Sequence, residues 1–241
     1  MNSASVQRYA RSGGVLLLVS LVAGGFGELY VPTKLLASAD PGALARNIAA
    51  SASLFRLGFA GYLVEAVCDV ALTLILYVLL KPVSKNLALL AAFYGLVGTA
   101  VFAFGELFYF STSLLLGGAE YLKSFSPDQL QTLALLALKV SGLSGGILMV
   151  FGGVGSLVIG YLILHSGYLP RFLGALWGLG GLGFVVRNFA LVLAPAYAFD
   201  WLLLPMTLAM LAAALWLIVR GVNLDRWADR GLGSLASPRD D

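Results

Sequence analysis

Carboxylates inside apolar stretches are the residues of this sequence that could do chemistry. Glu65 and Asp69 lie one helical turn apart, so two negative charges there would repel each other and one acid could hold a proton instead. Two more glutamates occupy near-identical motifs, Phe26-Gly-Glu-Leu-Tyr30 and Phe104-Gly-Glu-Leu-Phe108, which are 78 positions apart. An acid in such a stretch is costly and usually serves a function, so we expect these acids to bind a proton or a small solute.

Other polar side chains of the same stretches are expected to join these acids. A charged side chain that faced lipid would cost about 3 kcal/mol, so we predict that the charges converge on the protein interior. By depth, the expected ion pairs are Glu28 with Arg56 and Glu106 with Arg187. The alternative interpretation is that the charges only fix helix packing. The predicted buried polar cluster comprises Glu28, Arg56, Tyr62, Glu65, Asp69, Glu106, Lys139, Arg187 and Asn188.

The composition identifies the elements that carry these residues as membrane-spanning helices. Apolar residues make up 60% of the 241 residues and charged residues 11%, against roughly 25% charged residues in soluble domains. The mean hydropathy is +0.92. We therefore predict an integral membrane protein with the lipid bilayer as its partner. The net charge of +3 reflects membrane topology, and no nucleic acid partner is expected.

The uncharged runs predict an all-α, polytopic fold with six transmembrane helices within residues 1–220. A short polar tail over residues 221–241 follows them. The first run could be a signal peptide, but it holds a glutamate near its end and no clear cleavage site follows, which disfavours that interpretation. Each run is long enough to cross the roughly 30 Å hydrocarbon core. The predicted spans are about 12–31, 54–80, 86–116, 141–165, 171–194 and 201–220.

The distribution of Lys and Arg predicts the orientation. If the N-terminus is cytoplasmic, nine of these residues lie on the cytoplasmic side and six lie on the other side or near the outer helix ends. This bias follows the positive-inside rule. We therefore expect a multi-pass protein of the bacterial cytoplasmic (inner) membrane, with both termini in the cytoplasm.

Two helix-start signals precede spans. Asp40-Pro41 combines a capping residue with proline at the first helical position, and Ser126-Pro127-Asp128-Gln129 has the pattern of a capping box. From these caps, each helix could run for about 60 Å, so we expect each to project outward or to bend, with Ser51–Ser53 and Ser141–Gly142 as the candidate bends. The outer segments 41–53 and 127–140 either lie on the membrane or cap a cavity.

The repeated motif suggests an internal duplication, with the six spans arranged as three helical hairpins. Each copy is followed by a capped helix and a long span. A third copy would fall near Arg187, where it would present a cation in place of the acid. Chance similarity among helices rich in Leu, Gly and Phe is the alternative.

Twenty-nine glycines indicate close helix packing. The ladders Gly152-x3-Ser156-x3-Gly160 and Gly174-x3-Gly178 let helix backbones approach one another, and such Gly-rich faces could also form a homo-oligomer. No strand precedes Gly178–Gly183, so that glycine-rich segment is not a nucleotide fingerprint.

No catalytic or metal site is evident. His165 has no neighbouring Cys or acid with ligand spacing, and Cys68 has no His partner. We therefore expect no metal, no cofactor and no catalytic residue.

Several segments together resemble a family of bacterial six-span membrane proteins, domain-of-unknown-function family 4386. The resemblance covers roughly residues 10–220, and its most specific segment is Ser166-Gly-Tyr-Leu-Pro-Arg171. It implies the fold and the membrane location but no activity. The other segments that carry it are Gly27–Tyr30 with Pro32, Phe55–Gly58, Asp69 with Leu76–Pro82, and Gly160–Leu162.

Three functions fit these features. Small-solute or proton-coupled transport or binding is preferred, because the ionisable groups exceed what packing requires. A metal-independent intramembrane enzyme comes second, and we favour a protein without enzymatic activity. A structural or accessory membrane subunit is third.

Overall fold

The computed structural model describes residues 3–236, and within them it contains helices and turns but no strand. Six of the helices are long and apolar enough to cross a membrane, which confirms the predicted all-α, six-span fold. In chain order the helices are α1 (Ser3–Gly24), a π-helical segment (Gly25–Tyr30), α2 (Val31–Leu35), α3 (Pro41–Ala50), α4 (Ala52–Leu80), α5 (Lys85–Leu115), α6 (Pro127–Ser166), α7 (Arg171–Leu193), α8 (Leu204–Val219) and α9 (Leu224–Ala236). Short 3-10 turns occupy Glu120–Leu122, Pro195–Tyr197 and Asp200–Leu203.

The first span is longer than predicted and contains the π-helical segment. It runs over Ala4–Leu35 rather than 12–31. The Val31 amide donates to the Phe26 carbonyl five residues back, which is the π-helical pattern. Pro32 explains this pattern, because proline has no N–H and its ring clashes with the carbonyl four residues earlier, that of Glu28.

Both predicted helix caps are confirmed. The Asp40 carboxylate accepts the Ala43 amide at 2.7 Å. The Ser126 hydroxyl accepts the Gln129 amide at 3.3 Å, while the Gln129 side chain accepts the Ser126 amide at 2.8 Å, so the capping box is reciprocal. The chain turns at Ser51 between α3 and α4, as expected. In contrast, α6 runs through Ser141–Gly142 without interruption for 40 residues, or about 60 Å.

The chain divides into two compact units. Of the described residues, the first comprises 3–19, 68–98 and 149–236. Its core is built around buried apolar residues such as Leu79, Leu162 and Trp177. In this unit Gly160 lies against Gly174, and Gly153 lies against Gly181. These close contacts have the packing role predicted for the glycines. The homo-oligomer through Gly-rich helix faces stays a prediction.

The second unit comprises residues 20–67 and 99–148. These two segments begin 79 positions apart, close to the spacing of the repeated motif. Each segment holds one copy of the motif followed by one capped helix. An internal duplication predicts this arrangement, since each copy contributes an equivalent piece to the same unit.

The predicted polar tail is largely helical. Residues Leu224–Ala236 form α9, and residues 237–241 lie outside the described residues. Leu224 and Trp227 pack against the core of the first unit. These two apolar residues lie three positions apart on one helix face, so a helix packed against the core explains them better than the predicted polar tail.

Candidate functional site

Aromatic rings form the centre of the second unit. Tyr62 meets Tyr109 and Phe102 edge to face, with ring centroids 5.2 and 5.6 Å apart. Tyr109 stacks on Phe55 at 4.3 Å and donates a hydrogen bond of 3.2 Å to the Phe55 carbonyl. Gly58 makes this approach possible, because a Cβ atom there would lie 2.8 Å from the Tyr109 hydroxyl.

Glu106 lies beside these rings and is only 4% exposed. One carboxylate oxygen accepts a hydrogen bond of 3.4 Å from the Ser141 hydroxyl of α6. The other oxygen is buried and accepts no hydrogen bond from the residues that the structure describes. The neighbouring Ser144 donates to the Ser141 carbonyl of the same helix at 2.6 Å. Glu106 is therefore buried with only one weak hydrogen-bond donor.

Glu28 and Glu65 approach the same centre from two other helices. Both are half-buried. The carboxylates of Glu28, Glu65 and Glu106 are all close enough to Tyr62 to interact with it electrostatically, and Glu28 interacts in the same way with Glu106. The Glu65 carboxylate packs on Gly24 so closely that a Cβ atom at Gly24 would lie 2.8 Å from its Cδ. Four of the nine predicted residues thus gather in one place.

Two predicted members of the cluster do not belong to it. Arg56 and Lys139 are exposed, so their predicted burial is wrong, and so is the buried ion pair of Glu28 with Arg56. Long cationic side chains can keep their charged ends at the surface while their stems run along apolar helices. The position of a cationic residue in the sequence does not show whether its charged end points into the protein or reaches the surface.

The other three predicted residues, Asp69, Arg187 and Asn188, belong to the first unit. Asp69 is half-buried on α4. Arg187 donates to Asp200 at 2.7 Å and to the Asn188 side chain at 3.4 Å. Asp200, in the short turn Asp200–Leu203, is thus the ion-pair partner of Arg187, in place of the predicted Glu106.

The chemistry of the gathered residues is that of acids and phenols. Over the described residues, no group of three or more His, Cys, Asp or Glu is placed to hold a metal ion. Carboxylates and hydroxyl groups at such a centre can accept, hold and release protons, and they can bind a small polar solute.

The helices and this buried polar centre define an integral membrane protein. The chain belongs to the family described as domain of unknown function DUF4386, whose model matches residues 13–221. It is 27% identical over 126 residues to an uncharacterized protein of Archaeoglobus fulgidus. That alignment covers 52% of this chain and 62% of the relative. No solved structure matches the chain.

Proposed function

We propose that this protein binds protons at the carboxylates of its second unit and couples that binding to the movement or binding of a small solute. The observation that carries the proposal is Glu106, which is almost completely buried and has one carboxylate oxygen without a hydrogen-bond donor among the described residues. We further propose that the protein lies in a bacterial cytoplasmic membrane with both termini in the cytoplasm, as the Lys and Arg bias supports.

The surroundings of Glu106 support a protonatable group. The groups that face it are an acid, phenols and a hydroxyl, contributed by several helices. A buried carboxylate without a cation or several donors is less costly as the neutral acid than as the anion. In this proposal Glu106 holds a proton and releases it when its surroundings change. The facing groups are Glu28 from the π-helical segment, Tyr62 from α4, Tyr109 from α5 and Ser141 from α6, and Glu65 is a further acid close to Tyr62.

Glu65 and Asp69 provide a separate second proposal, because Asp69 does not belong to the second unit. They lie one turn apart on α4, so a second negative charge there is disfavoured by repulsion from the first. Glu65→Gln mimics the protonated acid. In this proposal it leaves the fold nearly intact and abolishes any pH-dependent solute binding or transport.

The test uses purified protein in liposomes that contain a pH-sensitive dye. We expect proton entry under an imposed pH gradient to be lost in Glu106→Gln and retained in Glu120→Gln. Glu120 is the matched control because its side chain is 85% exposed in a turn. Infrared difference spectra should show a protonated carboxyl band at pH 7 that Glu106→Gln removes.

Two results would oppose the proposal. If the infrared spectra of wild type and Glu106→Gln contain the same protonated carboxyl bands, Glu106 does not hold a proton at neutral pH. If Glu106→Gln lowers the melting temperature strongly while proton entry is absent from wild type as well, the carboxylate serves structure, and the accessory-subunit alternative is favoured.

A further inference from the structure

Helix α9 contacts the end of α4 through a shared carbonyl. A helix leaves its last carbonyl groups without partners inside the helix. The Leu79 carbonyl of α4 accepts two hydrogen bonds, one of 2.7 Å from the Tyr168 hydroxyl and one of 3.1 Å from the Trp227 indole. Burial raises the pKa of the Tyr168 hydroxyl, so this group keeps its proton and remains a donor throughout the physiological pH range.

The same helix also contacts the end of α6. Arg230 donates to the His165 carbonyl at 2.9 Å, and Arg226 donates to the Gly167 carbonyl at 3.1 Å. A helix C-terminus carries partial negative charge, so cationic donors are favourable at this position. One short helix therefore supplies donors to the carbonyl ends of two membrane-spanning helices.

The start of α9 is held in place by the chain around it. The Asn223 side chain caps the helix by accepting the Arg226 amide at 3.1 Å, and the Asn223 amide donates to the Tyr168 carbonyl at 3.2 Å. Before it, Gly221 has a φ of +66°, a conformation that glycine adopts readily. The Gln7 side chain of α1 accepts the Val222 amide at 3.2 Å. The segment thus has a defined position on the first unit.

We infer that α9 is a strap that holds the ends of α4 and α6 together. These ends move apart only after α9 has detached from them. All the residues that carry this inference lie in the first unit, and none belongs to the proposed proton site. The inference therefore stands whether or not the protein binds protons. It assigns α9 the role of a conformational lock.

The test is hydrogen–deuterium exchange of the full-length protein in lipid nanodiscs. Two amides are followed. The Val83 amide donates to the carbonyl of Leu80, the last residue of α4, and the Leu169 amide donates to the hydroxyl of Ser166, the last residue of α6. Trp227→Phe keeps an aromatic ring, removes the N–H donor and makes the side chain smaller. We expect both amides to exchange about fivefold faster in this variant, and faster still when Arg226→Gln and Arg230→Gln are added.

Asp229→Asn is the control, since Asp229 is an exposed residue of the same helix, and it should leave both amides unchanged. The inference is overturned if Trp227→Phe speeds exchange only within residues 224–236 while Val83 and Leu169 keep their wild-type rates. If the triple variant does not fold, the single Trp227→Phe substitution still decides between these outcomes.

Discussion

The Ser141 hydroxyl lies 3.4 Å from one carboxylate oxygen of Glu106 and donates to it. It is the one hydrogen bond that the described part of the chain gives to that carboxylate side chain. Both residues are buried, and they come from α6 and α5. The hydrogen bond therefore connects the second copy of the repeated motif to the helix that follows it.

Ser141→Ala should remove this donor and leave the Glu106 carboxylate without a hydrogen bond from the described residues. We expect a loss of about 1 kcal/mol in the free energy of unfolding and a shifted carboxyl band of Glu106 in infrared spectra. Ser113→Ala is the control, because the Ser113 hydroxyl donates to the Phe110 carbonyl of its own helix. Identical carboxyl spectra for wild type and Ser141→Ala would contradict the prediction.

Gly105→Ala tests how tightly α5 and α6 pack beside Glu106. A Cβ atom at Gly105 would overlap the Ser144 side chain, so we expect a loss of about 1–3 kcal/mol in detergent unfolding experiments. At Gly145 an added Cβ meets no atom within 4 Å. Gly145→Ala should therefore be neutral or stabilising by up to about 1 kcal/mol, because alanine favours a helix more than glycine does. Equal effects of the two substitutions would rule out the close contact.

Asp40→Ala should remove the N-terminal cap of α3. The expected cost is about 1 kcal/mol in the free energy of unfolding, measured by thermal or denaturant unfolding. Asp40→Asn should cost little, since asparagine caps a helix as well as aspartate does and the Arg46 ion pair it loses is long, at 3.9 Å, and exposed. If the two substitutions are equally harmful, the charge matters and the cap does not.

Cysteine labelling tests the orientation. In a Cys68→Ala background, Ser84→Cys and Ser237→Cys should resist membrane-impermeant thiol reagents in intact cells, whereas Ser38→Cys should react. This expectation follows from the excess of Lys and Arg on the side assigned to the cytoplasm. The reverse pattern would place both termini outside.

Local chemistry made much of the fold predictable. Uncharged apolar runs of sufficient length have few alternatives to spanning helices, and the Asp40 and Ser126 caps depend only on residues close in sequence. The contact of Trp227 with Leu79 joins residues 148 positions apart, and no local pattern encodes it. The π-helical segment, which was not predicted, does have a local signal in Pro32, which follows several glycines.

The candidate site was only partly predictable for a different reason. Apolar helices show that a charge is present, but the direction of its side chain depends on how the helices are rotated in the fold. Glu106 is buried, as predicted, whereas Arg56 and Lys139 extend to the surface. Flexible cationic side chains can reach water from an apolar helix, and short carboxylates have less freedom to do so.

Pro32 has a consequence for the relation between the two copies of the repeated motif. The first copy lies in the π-helical segment, whereas the second lies within regular α-helix and has Phe110 at the position equivalent to Pro32. Equivalent positions in sequence therefore differ in helical phase, and the two glutamates differ in exposure: Glu28 is half-buried and Glu106 is buried. The two copies of the repeated motif are therefore not equivalent in structure, so exchanging them within the chain would not give back the same protein.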